Sequence, residues 1–123
     1  MKLTHCCIIT ENIQELAEFY KEALQIKPQI YGEDYVEFPT EGGVLSLFNY
    51  EAHEALAKGS VQPASNRCVE LEFNVENVED DYVRLQKFGA EIVKPLTTQP
   101  WGNKSFYFRD PDGNLINFYT RTR

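Results

Sequence analysis

Cysteine and histidine are scarce in this 123-residue chain, which has three cysteines and two histidines. Cys6 and Cys7 are adjacent, and because neighbours in a strand point to opposite faces we expect no disulfide between them. The absence of any CxxC pair argues against a structural zinc site. We therefore expect reduced thiols in a cytoplasmic protein.

Long apolar runs and an excess of basic charge are also missing. No apolar run approaches the length of a membrane span, and residues 1–5 lack the apolar segment of a signal peptide. Lys and Arg number 12 against 19 Asp and Glu, so the net charge of −7 argues against a nucleic-acid partner, which needs a basic face. Neither a Gly-rich phosphate loop nor a GxSxG elbow occurs. The acidity permits a cationic ligand, although it also serves solubility.

An internal repeat is present instead. Early in each half the corresponding residues are 65 apart, as His5 and Glu70 are. Further on the interval is 71, as between Tyr35 and Phe106, and the six extra residues are expected near 95–101. A unit this short cannot close its own core, so the two copies must pack together.

Each copy has the pattern of a β-α-β-β-β unit. Asn12 and Asn77 predict helix N-caps ahead of apolar residues at helical spacing, and Gly89 predicts a helix end. Asp110–Gly113 predicts a tight turn. A short helix is expected at 51–58. Strands are expected at Leu3–Ile9, Gln29–Tyr31, Tyr35–Phe38, Val44–Asn49, Cys68–Val75, Glu91–Val93, Lys104–Arg109 and Asn114–Tyr119.

The predicted architecture is a single α+β domain of paired βαβββ modules. The first module covers residues 1–59 and the second covers residues 68–123. The polar segment 60–67 is the linker between them.

Strand alternation then assigns side chains to the sheet face that carries no helix. Val69, Leu71, Phe73 and Val75 form an apolar face for the helix. The other face defines a candidate ligand pocket, with Trp101 at its mouth. Its predicted lining is His5, Cys7, Ser46, Phe48, Glu70, Glu72, Asn117 and Tyr119.

Several of these residues have more than one interpretation. His5 either binds a ligand or metal, or hydrogen-bonds Glu70, and the second is favoured because an inward carboxylate needs a partner. The carboxylates of Glu70 and Glu72 either attract a cation or pair with Arg67 or Lys104 at the rim.

The roles of further side chains are also interpreted from the sequence. Cys7 is interpreted as a spectator thiol, because two residues along a strand places it about 6–7 Å from His5. Trp101 lines the pocket, or plugs the core edge or a dimer contact. His53 is expected to be solvated, and the aromatic run 106–108 is divided between core and interface.

Four segments give the chain a family resemblance. They are the His5 strand, Ala17–Leu24, Phe88–Ile92 and Asp110–Ile116. The chain resembles the vicinal-oxygen-chelate superfamily, which includes glyoxalase I, extradiol dioxygenases and bleomycin- and fosfomycin-resistance proteins. The resemblance implies paired βαβββ modules whose curved sheets complete a cavity in a homodimer.

The resemblance also implies where a metal would bind. The ligand positions of the family's enzymes fall here at His5, Ser46, Glu70 and Asn117, and only His5 has the usual residue type. Serine and asparagine are poor ligands for Mn, Fe, Ni or Zn, and three good protein ligands are normally required. We predict no metal and no cofactor, with a divalent ion on His5 and Glu70 as the alternative.

The functional hypothesis is a glyoxalase/bleomycin-resistance-like, metal-independent protein that sequesters a small aromatic or cationic molecule, as a homodimer. One alternative is a metal-dependent lyase, isomerase or dioxygenase with a non-standard metal site. Another is an interaction module whose cavity is closed by side chains. The ligand itself does not follow from the sequence.

Overall fold

The computed structural model describes residues 1–121, which divide into two compact units, one of residues 1–65 and one beginning at Asn66. The division falls inside the segment predicted as the linker, and we call the units the first and second modules. The first module contains β1 (His5–Thr10), α1 (Ile13–Leu24), β2 (Gln29–Tyr31), β3 (Tyr35–Pro39), β4 (Val44–Asn49) and α2 (Tyr50–Leu56). The second contains β5 (Glu70–Asn74), α3 (Val78–Phe88), β6 (Glu91–Thr98), β7 (Asn103–Arg109) and β8 (Leu115–Arg121).

Both modules have the same sheet topology, which confirms the predicted α+β fold of βαβββ units. The strand order is β1-β4-β3-β2 in the first sheet and β5-β8-β7-β6 in the second. The first and last strands of each unit pair in parallel, and the hairpin strands pair antiparallel. No helix within residues 1–121 is long and apolar enough to cross a membrane.

Both long helices begin at the predicted asparagine caps. The Asn12 side-chain oxygen accepts from the backbone N–H of Glu15 at 3.3 Å, and Asn77 accepts from Asp80 at 3.1 Å. Each asparagine also donates its amide to that same acidic side chain at 2.9 Å. These bonds satisfy helix donors that would otherwise lack partners. The αL residue Gly89, with φ of 92°, ends α3 as predicted.

The core of each module lies between its long helix and one face of its sheet. In the first module the rings of Tyr20 and Phe38 lie 6.2 Å apart, and both side chains are fully buried. In the second module Phe106, Phe108 and Phe118 form a mutual aromatic cluster with centroid distances of 5.0 to 5.7 Å. Burial of these apolar side chains is the main contribution to the stability of each helix–sheet core.

The strand register corrects one part of the predicted repeat. Four residues connect Pro39 to Val44, whereas five connect Arg109 to Leu115. This extra turn residue makes Ser105, and not Phe106, the counterpart of Tyr35, because Tyr35 pairs with Phe48 and Ser105 with the equivalent Tyr119. A shift of one residue moves every side chain of a strand to its opposite face, so the error affected the whole of β7.

Two strand predictions in the second module also need correction. Val69 is 55% exposed and lies before β5, so the apolar face of that strand is shorter than the alternation suggested. The strand predicted at 91–93 continues to Thr98, with two register shifts against β7. Bulges of this kind accommodate extra residues within a strand, and here they absorb part of the insertion expected near 95–101.

Candidate ligand site in the second module

A concave site with a volume of about 280 Å³ opens on the face of the second sheet that α3 does not cover. This face carries alternate residues of β5, β8 and β7, while the intervening residues are in the aromatic core. The site is lined by Glu72, Trp101, Asn103, Ser105, Tyr107, Asn117, Tyr119 and Arg121. All of these residues belong to the second module.

The floor of the site is a carboxylate next to a buried amide. Glu72 and Asn117 are opposite each other in the parallel pair β5–β8, and Asn117 donates from Nδ2 to the Glu72 Oε2 at 3.1 Å. Asn117 is only 5% exposed, and its Oδ1 is buried without a hydrogen-bond partner within residues 1–121. A buried amide oxygen without a partner is costly, so this atom is suited to accept from a bound donor.

Glu70 adds a second carboxyl on the same face of β5. Partial burial raises the pKa of Glu70, and a hydrogen bond to Glu72 and the charge of that neighbour raise it further. The pKa of the Tyr107 hydroxyl is also raised, first by burial and then by the charges of Glu70 and Glu72. Glu70 therefore keeps its proton more readily than an isolated glutamate, and Tyr107 remains a neutral donor beside it.

A short loop places Trp101 at the edge of this site. The Gln99 backbone N–H donates to the carbonyl of Asn103 at 2.7 Å, and the Gly102 N–H donates to the carbonyl of Gln99 at 2.9 Å. The buried Gln99 side chain donates to the Ser105 hydroxyl at 3.0 Å. These bonds hold the loop while the indole stays 69% exposed. The ring is available as a wall for a ligand.

The interpretation in which Glu70 and Glu72 pair with Lys104 is wrong. Lys104 donates from Nζ to the Glu79 Oε1 at 2.8 Å, and Glu79 lies in the first turn of α3. The hydrogen bond that Arg67 makes from Nη1 goes to the carbonyl of Asn66 at 3.5 Å. Within residues 1–121 no cation forms an ion pair with the Glu70–Glu72 pair.

The first module has a different polar group at the equivalent positions. The His5 Nε2 lies 3.1 Å from the Glu37 Oε2, and its Nδ1 lies 2.8 Å from the Thr4 Oγ1. Tyr35 donates to the same Glu37 oxygen at 2.7 Å. The Tyr35 hydroxyl, followed by His5, lowers the pKa of Glu37. The predicted partner of His5 is Glu70, whereas both ring nitrogens of His5 are bonded within the first module.

The remaining predicted residues of the first module share this sheet face. Cys7 is opposite Ser46 in the β1–β4 pair, and Ser46 is fully buried with no partner in hydrogen-bond geometry for its hydroxyl within residues 1–121. The Phe48 ring packs edge-on against His53, with centroids 5.6 Å apart. The prediction that His53 is solvated is wrong, because this contact leaves it half-buried.

The predicted site residues therefore fall into two groups. Glu72, Trp101, Asn117 and Tyr119 line the pocket of the second module, and Glu70 adjoins it. His5, Cys7, Ser46 and Phe48 lie together on the free face of the first sheet.

Sequence reasoning missed several residues on these faces. They are Tyr35 and Glu37 in the first module, and Asn103, Ser105, Tyr107 and Arg121 in the second. The alternation of residues along β7 indicates which of its side chains share a face. It predicts the correct face only if the turn after Arg109 is counted as five residues.

The side chains at the family's metal positions do not fit a divalent transition-metal ion. His5 is the only imidazole among them, and its two nitrogens are already bonded. Ser46 and Asn117 offer a hydroxyl and a neutral amide, which are weak ligands for such ions. Within residues 1–121 no group of three or more His, Cys, Asp or Glu side chains is arranged to hold a metal ion.

The two βαβββ modules have the fold of one protein class. The chain belongs to the glyoxalase/bleomycin resistance protein/dioxygenase superfamily, whose sequence profile matches residues 2–118.

Individual relatives match nearly the whole chain at low identity. Metallothiol transferase FosB of Shouchella clausii (strain KSM-K16) is 29% identical, over 98% of this chain and 80% of that protein. The uncharacterized protein YraH of Bacillus subtilis (strain 168) is 28% identical, over 97% of this chain and 98% of that one. A glyoxalase/bleomycin resistance protein/dioxygenase family enzyme from Burkholderia phytofirmans PsJN has the same fold, with a TM-score of 0.86 and 18% identity over 98% of each chain.

Proposed function

We propose that this protein binds and sequesters a small molecule that carries a cationic group on an aromatic frame, without a resident metal ion. The observation that carries the proposal is the pocket of the second module, which is walled by Trp101, Tyr107 and Tyr119. Within residues 1–121 its Glu72 carboxylate forms no ion pair, and the amide oxygen of Asn117 has no hydrogen-bond partner. Aromatic faces supply contact area and attract cations, and the carboxylates select the sign of the charge.

The first test uses phenethylamine as the cationic aromatic probe and 2-phenylethanol as its neutral counterpart. Trp101 is the single tryptophan of the chain and lines the pocket, so its fluorescence reports binding there. We expect the amine to bind more tightly than the alcohol. Glu72→Gln should weaken amine binding about tenfold, which corresponds to ~1.4 kcal/mol, because it removes the charge and keeps the shape.

Glu76→Gln is the matched control for that variant. Glu76 is an exposed glutamate of the same module that does not line the pocket. It changes the net charge by the same amount, so it should leave the affinity for phenethylamine unchanged. Equal binding of the amine by the wild-type protein and Glu72→Gln would show that the carboxylate does not select the ligand.

A metal-dependent transferase or lyase is the second candidate, and the likeness to a metallothiol transferase favours it. Elemental analysis of the purified protein, before and after incubation with Mn, Fe(II), Ni and Zn, separates the two. We expect less than stoichiometric metal in every case, because the donor set is poor. One tightly held metal per chain, lost in His5→Ala, would overturn metal independence and support the enzyme.

The third candidate, an interaction module with a closed cavity, is less favoured because the pocket of the second module is open.

Two further properties belong to the same proposal. We propose that the protein is a homodimer, as the family resemblance implies, and sedimentation analysis tests this. We also propose a reducing, cytoplasmic location, because Cys6, Cys7 and Cys68 are free and exposed thiols.

A further inference from the structure

The pocket of the second module has a cation at one end as well as carboxylates at the other. Arg121 lines the same cavity as Glu72. Its guanidinium forms no ion pair with any acidic side chain within residues 1–121. Guanidinium groups recognise carboxylates through two parallel hydrogen bonds, so an arginine that lines a pocket and forms no ion pair within residues 1–121 is suited to bind the carboxylate of a ligand.

Strand geometry determines the separation of these two charges. Asn117, Tyr119 and Arg121 alternate along β8 and point to one face, and Glu72 is directly opposite Asn117. Four residues of strand span about 13–14 Å between α-carbons, and both side chains lean into one cavity. A ligand that reaches both would have charged ends roughly 10 Å apart.

The space between the charges is aromatic and polar. Tyr119 lies between Asn117 and Arg121 on β8, and Trp101 and Tyr107 line the same cavity. The buried, unpartnered Oδ1 of Asn117 offers an acceptor at the carboxylate end, which suits an ammonium group that brings several donors.

From this arrangement we infer that the ligand is an aromatic zwitterion, with its ammonium at Glu72 and its carboxylate at Arg121. The inference rests on the proposed function and narrows its ligand class. A molecule with only a cation would leave the guanidinium unused, and one with only an anion would meet the carboxylate pair. The volume of about 280 Å³ limits the ligand to a small molecule, such as a peptide of two or three residues.

The test uses three forms of one tripeptide, Gly-Phe-Gly, whose extended length is about 10 Å. The free peptide is a zwitterion at pH 7, its C-terminal amide is a cation and its N-acetyl form is an anion. We expect Trp101 fluorescence titration to show that the free peptide binds at least about fivefold more tightly than either blocked form. Arg121→Gln should remove the preference for the free peptide over the amide, without weakening binding of the amide.

Two other variants separate charge from shape. Arg121→Lys keeps the charge and loses the planar fork, so it should retain part of the preference. Lys87→Gln removes a positive charge from the exposed surface of α3 and should change nothing. Thermal unfolding of each variant verifies that the fold is intact.

The outcomes distinguish this inference from the proposed function. If the amide binds as tightly as the free peptide, or if Arg121→Gln keeps the preference, the inference of a zwitterionic ligand is wrong. The proposal that the pocket binds a cation is then retained. If no form of the peptide binds but phenethylamine does, the zwitterion is again wrong. If phenethylamine also fails to bind, the proposed function is wrong as well.

Discussion

Asp110→Ala should destabilise the protein by about 2–4 kcal/mol, because one buried carboxylate holds the turn before β8 together. Asp110 is 5% exposed, and its Oδ1 accepts from the backbone N–H groups of Asp112 and Asn114, both at 2.9 Å. Its Oδ2 accepts from the Asn114 side-chain amide at 2.8 Å. Removing the acceptor leaves three donors unsatisfied at a poorly hydrated position, each costing about 1–3 kcal/mol at most. Urea unfolding measures the loss.

The controls for this variant separate the carboxylate from its charge. Asp110→Asn retains one acceptor oxygen and should lose about half as much stability, since only part of the hydrogen bonding is kept. Glu76→Ala removes an exposed carboxylate of the same module and should stay within about 0.5 kcal/mol of the wild-type protein. A loss below about 1 kcal/mol in Asp110→Ala would show that water replaces the carboxylate in this turn.

The affinity for phenethylamine should rise with pH by up to about tenfold per pH unit while the Glu70 carboxyl is losing its proton. Partial burial, with the neighbouring Glu72, raises the pKa of Glu70, so this carboxyl keeps its proton at pH values where an isolated glutamate is already ionised. As pH rises through this raised pKa the site gains the negative charge of Glu70. The amine stays protonated throughout because its pKa resembles that of lysine, about 10.

The effect on stability has the opposite sign. A carboxyl whose pKa is higher in the folded than in the unfolded protein contributes stability below the unfolded pKa of about 4.3. That contribution is lost as pH rises through the folded pKa of Glu70. Saturating phenethylamine should reduce this loss, because it neutralises the charge that creates it.

Glu70→Gln tests both pH effects. It removes the group with the raised pKa and keeps a side chain of the same shape on β5. The variant should bind phenethylamine with little pH dependence over the range in which the wild-type affinity rises, and it should lack the accompanying fall in stability. The titration curves of the wild-type protein and the variant would superimpose if another group were responsible.

Local sequence signals predicted much of the fold. Asn12 and Asn77 cap their helices with the expected bonds, and Gly89 ends α3 in the αL conformation. The Asp110–Gly113 turn forms where the sequence placed it. These features depend on residues within a few positions of each other, so they can be inferred without knowing the rest of the chain.

The faces of β7 and the partners of His5 could not be obtained in the same way. The face of Tyr107 depends on one added residue in the turn after Arg109, which shifts the register of the whole strand. The contact of His5 with Glu37 joins two strands, β1 and β3, that do not pair with each other and have β4 between them. Alternation in the sequence predicts on which face of the sheet a side chain lies. It does not predict which side chains of different strands contact each other.

The sequence by itself determined the repeat, the paired βαβββ units, the capped helices, the family resemblance and the poor metal-ligand set, because each rests on residue type and short-range order. Only the tertiary structure decided that Glu72, Tyr107, Asn117 and Arg121 share one pocket. It also decided that the oxygen of Asn117 is left without a partner and that Lys104 pairs with Glu79. Those relations depend on register and on side-chain placement across strands that are far apart in the chain, and a one-residue change in a turn is enough to alter them.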